Sequence, residues 1–176
     1  MMTLVSSSFA LFLALVFLRA FMHKAMDFTQ FQGFVSDYRI MPDKLTFPLA
    51  VAIVATELGA ISLSLFPQTR TLGMLIIITL LVVYAAVIAI NLQRGHRHIE
   101  CGCGGIPQRL DTSLLWRNAV LAVMALVPLT SPALPLTAAA VVATIMASLL
   151  LLFAFMLFEN INAIRLHRND TLHSQI

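Results

Sequence analysis

Charge is scarce in this chain. Lys, Arg, Asp and Glu make up 11% of its 176 residues, where soluble domains carry about 25%. With 60% hydrophobic residues and a mean hydropathy of +0.92, a single domain of this size has too little polar surface to dissolve in water. That excludes a soluble globular enzyme, a disordered chain and a nucleic-acid binder. Cysteine is also scarce: the two present, Cys101 and Cys103, cannot build the disulfide framework of a small secreted domain. No basic residue precedes the first apolar run and no small-residue cleavage site precedes Arg19, so the N-terminal segment reads as a retained helix rather than a cleaved signal. No phosphate loop, nucleophilic triad, internal repeat or second domain is visible, and no cofactor is expected. The expectation is a polytopic membrane helix bundle, all-α, in one domain over 1–176, with the lipid bilayer as its main partner.

What is abundant is apolar sequence in runs long enough to matter. About 20 residues at 1.5 Å each cross a hydrocarbon core of about 30 Å. Runs at 4–22, 47–66, 72–92, 114–129 and 136–158 meet or approach that length. The run at 114–129 is the shortest, with Trp116 and Arg117 read as interface anchors and Pro128 near its end. Five transmembrane helices are expected, or four if this run is re-entrant. Small residues at Ala55 and Gly59, at Ala85 and Ala89, and at Ala139, Ala143 and Ala147 suggest close packing faces.

Five spans allow the loop charges to be sorted by side. One side holds the N-terminus and two short turns, with Arg70 as its only Lys or Arg; the other holds the remaining ten. The positive-inside rule puts those ten in the cytoplasm, the C-terminus with them, and the N-terminus outside. The same sorting accounts for the net charge of +3 without a polyanionic partner. The loop that bears both cysteines then faces the cytoplasm.

That loop is the densest polar stretch, running His96-Arg97-His98-Ile99-Glu100-Cys101-Gly102-Cys103-Gly104-Gly105. Its glycines keep the backbone open, and a turn at Gly102 can bring two cysteines within disulfide range. The ring so formed is small and strained, and strained, exposed disulfides are the readily exchanged ones. Arg94, Arg97, His96 and His98 favour the thiolate, and Glu100 opposes it. Two other readings use the same residues. His96, His98, Cys101 and Cys103 are a tetrahedral zinc set, although zinc sites usually draw their pairs from separate turns. The loop can also be an inert connection with two idle thiols.

Glu57 is the second focus, because a carboxylate inside a span is costly and marks either a function or a paired lock. It lies ten residues past Phe47, about 15 Å deep. Tyr84 lies eight residues before Leu92, about 12 Å from the same face, so its hydroxyl can meet the carboxylate. Arg19 is close to its helix end and reaches Glu57 only by a long stretch or a tilt. Glu57 is thus a proton carrier in a small transporter or a hydrogen-bonded lock. Between the first two spans, Phe28, Phe31, Phe34 and Tyr38 at roughly helical intervals suggest an amphipathic helix at the interface.

Taken in order, His23-Lys24, then Phe31 and Tyr38-Arg39-Ile40-Met41-Pro42, Glu57-Leu58-Gly59, Asn91-Leu92-Gln93-Arg94-Gly95 and Cys101-Gly102-Cys103-Gly104-Gly105, the sequence resembles the MauE family of methylamine utilization membrane proteins, near the DoxX-like proteins. The resemblance runs from about Arg19 to Asn118, and departs where the family more often has an aromatic residue at Gly105 and Asp at Glu100. It implies a multi-pass protein of the bacterial inner membrane. The implied role is processing, transport or maturation of the disulfide-rich β subunit of methylamine dehydrogenase, beside a thioredoxin-like partner. It also implies that Cys101 and Cys103 form a redox pair, in a thiol–disulfide relay rather than a stand-alone enzyme; Glu57, Tyr84, Arg94, Arg97, Gly102 and Gly104 are expected to support it from the charge, depth and backbone arguments above.

Overall fold

The computed structural model describes residues 2–39, 42–95, 110–131 and 137–173. Among them are six α-helices, one 3-10 turn and no strand: α1 (Met2–Met26), α2 (Phe28–Asp37), a turn at Asp43–Leu45, α3 (Thr46–Leu65), α4 (Arg70–Gln93), α5 (Thr112–Thr130) and α6 (Ala138–His173). Five segments are long and apolar enough to cross a membrane: Met2–Met26, Asp43–Leu65, Arg70–Gln93, Thr112–Thr130 and Ala138–Arg165. The protein is an all-α, multi-pass membrane protein. The short run expected at 114–129 is a full helix, with Pro128 buried in its last turns.

Helices suit this sequence because lipid offers no partner to an unpaired backbone group. Polar side chains on the outer faces bond to their own helix for the same reason. Thr56 donates to the carbonyl of Ala52 at 2.7 Å, Ser62 to Leu58 at 2.9 Å and Thr79 to Leu75 at 2.9 Å.

Helices α1, α3, α4 and α5 close a ring in which each packs on two neighbours, and α6 lies outside it, against α1. The ring encloses Phe12, Leu13, Phe17, Ala60, Met74, Ile77, Leu81, Leu121 and Ala125. Phe155 of α6 meets Phe12 edge-on at 6.0 Å, and Ser148 donates to the Ser8 carbonyl at 3.0 Å, which ties α6 to α1. The tightest approach is at Gly73 of α4, where a Cβ would lie 2.5 Å from the backbone nitrogen of Ser64 in α3. The small-residue face expected at Ala55 and Gly59 is not a contact: Ala55 is exposed and a Cβ on Gly59 would meet nothing within 4 Å.

At the end of the bundle where the chain begins, Arg70 is buried, donating to the Ser131 carbonyl at 2.9 Å and to the Ser6 hydroxyl at 3.3 Å. It joins α1, α4 and α5. The opposite end holds the short helix α2, started by Asp27, whose carboxylate accepts from the Gln30 N–H at 3.0 Å. Phe31 is the buried residue of α2. Just beyond it, Tyr38 is buried against Ile88, Leu110 and Leu114, and burial pushes its phenol above the usual range while nearby Arg117 pulls the other way.

A buried ion network as the candidate functional site

The buried carboxylates, and the cations paired with them, gather towards the end where α1, α4 and α6 finish and α3 and α5 begin. Lys24 sits in the last turn of α1, yet it is only 3% exposed. The Cα–Cβ bonds of a helix tilt towards its N-terminus, so this side chain leans back into the bundle instead of out to the loop. Glu57, 0% exposed, shares an inward stripe of α3 with Ala50, Ala60, Ile61 and Ser64. Tyr84 continues the stripe of α4 that carries Met74, Ile77, Leu80, Leu81 and Ile88.

These three side chains meet. The Lys24 ammonium donates to Glu57 Oε1, and the Tyr84 hydroxyl donates to the same oxygen at 2.6 Å. Lys24 Nζ also lies 3.4 Å from the Tyr84 hydroxyl, 5.0 Å from the centre of the Tyr84 ring and 5.2 Å from that of Phe31. A carboxylate, a phenol and two aromatic faces thus replace the water an ammonium would otherwise hold.

A second network lies beside the first. Glu159 of α6 accepts from Arg19 of α1 at 2.6 Å and from Arg117 of α5 at 2.9 Å, one carboxylate oxygen to each. Arg117 also reaches the Asn118 side-chain oxygen at 3.5 Å. Both networks line one cavity of about 40 Å³, walled elsewhere by Phe17, Leu81, Leu121 and Phe155. Three buried atoms of its lining, Glu57 Oε2, Arg117 Nε and Asn118 Nδ2, make no hydrogen bond among the described residues.

The contact expected between Glu57 and Tyr84 from their depths is present. Three assignments made from the sequence are corrected. Lys24, Arg19 and Arg117 were counted with the loop and interface charges, and all three pair inside the bundle. Trp116, next to Arg117, does face outward, 71% exposed. Glu159 was missed because the apolar run stops at Phe158, one residue short, while α6 continues to His173. The available signal was the pair of arginines near helix ends, which need a carboxylate if they are buried. Arg94 caps α4, its backbone N–H bonding to the Ile90 carbonyl at 3.1 Å and the N–H of Gly95 to that of Leu92 at 3.1 Å, and its guanidinium lies 3.4 Å from the Arg39 carbonyl. Cys101, Cys103, Arg97, Gly102, Gly104, His96 and His98 lie outside the described residues.

Comparison with known proteins adds to this geometry. The model of the methylamine utilisation protein MauE family matches residues 2–131. The methylamine utilization protein MauE of Paracoccus versutus is 32% identical over 117 residues, covering 65% of this chain and 63% of that protein. The Paracoccus denitrificans protein of the same description is 35% identical over 124 residues, with coverages of 66% and 63%. That of Methylophilus methylotrophus is 35% identical over 94 residues, with 53% and 50%. The chain therefore spans less than two thirds of the length of these relatives. No solved structure matches it.

Proposed function

This chain belongs to the methylamine utilisation protein MauE family, and from that premise we propose that it is an accessory protein of methylamine utilisation, one integral domain in the bacterial inner membrane. In this reading it helps the β subunit of methylamine dehydrogenase mature. Cys101 and Cys103 exchange two electrons with a thioredoxin-like partner: one dithiol is oxidised to a disulfide as another disulfide is reduced, with two protons passing the same way. The observation that carries the reading is the family match over 2–131, which takes in both cysteines. Support also comes from the fold, since Gly95 and Leu110 join the cysteine segment to α4 and α5, two helices that the buried network holds in place.

The test is growth on methylamine and immunoblotting of the β subunit in a host that lacks its own copy and carries this chain. Cys101→Ser, Cys103→Ser and the double variant should each cost the cell its β subunit. Wild-type β-subunit levels in the double variant would remove the thiol relay. Equal damage from His96→Ala and His98→Ala, with metal bound to the purified protein, would replace it with a zinc site. A second reading, a small proton-coupled transporter, draws on the burial of Glu57. It requires Glu57→Gln to abolish function, whereas the relay tolerates that change.

A further inference from the structure

The cavity between the two networks is lined by three cationic side chains, Arg19, Lys24 and Arg117, and two carboxylates, Glu57 and Glu159. A dry cavity in a membrane span would suit neither this charge surplus nor the two unused donors and one unused acceptor that face it. A small anion would answer the surplus but would have no proton to give Glu57 Oε2. Water answers all three atoms, accepting from Arg117 Nε and Asn118 Nδ2 and donating to Glu57 Oε2. The volume of about 40 Å³ has room for roughly two or three water molecules, and the three unpaired atoms are the number of partners that one buried water takes.

We propose that this cavity is a water-binding site inside the membrane-spanning bundle, through which solvent reaches Glu57. Arg19 is the most exposed of its charged lining side chains, at 22%, and marks the route in. The ionisable groups around the water are Arg19 and Lys24 from α1, Glu57 from α3, Tyr84 from α4, Arg117 from α5 and Glu159 from α6, with Tyr38 beyond α2 close to Arg117. The site is independent of the thiol chemistry above, and its test does not involve the cysteines.

That test is radiolytic hydroxyl footprinting of the full-length protein in nanodiscs, with a bulk radical scavenger present so that internal water is the main source of radicals. The bundle supplies matched reporters of similar burial: Phe17, Leu81 and Leu121 line the cavity, while Phe12 and Leu13 lie in the core away from it. Phe17 should oxidise several-fold faster than Phe12, and Leu81 and Leu121 several-fold faster than Leu13. Asn118→Leu, which fills the site and removes a donor, should abolish the difference. Equal rates within each pair of the unmutated protein would overturn the proposal whether or not that variant folds. Labelling that changes when chloride is exchanged for gluconate would overturn it in favour of an anion.

Discussion

Replacing Lys24 by Met removes the ammonium bonded to Glu57 and leaves the shape of the side chain almost unchanged. Glu57, 0% exposed, would keep a bond from Tyr84 and lose its counter-charge. Removing one partner of a buried ion pair costs about 3–5 kcal/mol. On the scaling of soluble domains of this size, the lower figure is a fall in melting temperature of about 6–12 °C. Glu57→Gln should cost less, about 1–2 kcal/mol, because the amide still accepts from Tyr84 and the rings of Tyr84 and Phe31 still face the ammonium. Lys24→Met combined with Glu57→Leu exchanges the pair for two apolar side chains and should recover most of the loss, since such exchanges are often neutral. The assay is survival of the monodisperse protein in detergent after heating, read for all variants in parallel. Wild-type stability in Lys24→Met, or a double variant no more stable than Lys24→Met alone, would refute the assignment of Lys24 as the partner of Glu57.

Three further outcomes follow from the same structure. Gly73→Ala would push a Cβ to 2.5 Å from the Ser64 nitrogen and should cost about 1–3 kcal/mol, while Gly59→Ala, with nothing within 4 Å, should leave the melting temperature unchanged or slightly raised; equal effects would disprove the α3–α4 approach. In a Tyr84→Phe variant Tyr38 is the one tyrosine left, and its raised pKa means that its contribution to stability is intact below the free-phenol value of about 10 and is lost as pH rises beyond it. Ultraviolet titration should therefore show no tyrosinate near pH 10 while the fold persists, and titration at the free value would contradict its burial. With Arg19, Lys24 and Arg117 paired inside the bundle, Arg39, Lys44, Arg94, Arg165 and Arg168 still weight that side among the described residues, so a reporter after Ile176 should read cytoplasmic and one in the turn at 66–69 periplasmic; the reverse would overturn the orientation.

The middle of each span was legible and its ends were not, for a physical reason. Inside the hydrocarbon only apolar helix is tolerated, so the run at 72–92 and the helix Arg70–Gln93 agree within two residues. Past the hydrocarbon a helix can continue in polar sequence, as α1 does to Met26 and α6 to His173. The residues in those extensions look like loop, which is why Lys24 and Glu159 went unseen as partners. Glu57 and Tyr84 could be matched because depth from a shared face needs only the rise per residue. Small-residue spacing misled in the opposite way: Ala55 and Gly59 have the pattern and face outward, while Gly73 has no such pattern and makes the contact. Which stripe of a helix meets a neighbour depends on the arrangement of all five, and that is not written in one helix.

The central claim, that Cys101 and Cys103 work as a redox pair, is tested most directly by trapping their thiols in living cells. Cells growing on methylamine would be quenched in acid, alkylated with a mass tag and resolved by immunoblotting, with and without the thioredoxin-like partner. The account predicts a mixture of dithiol and disulfide whose ratio shifts when the partner is absent. Two cysteines that stay fully alkylatable under both conditions would contradict it.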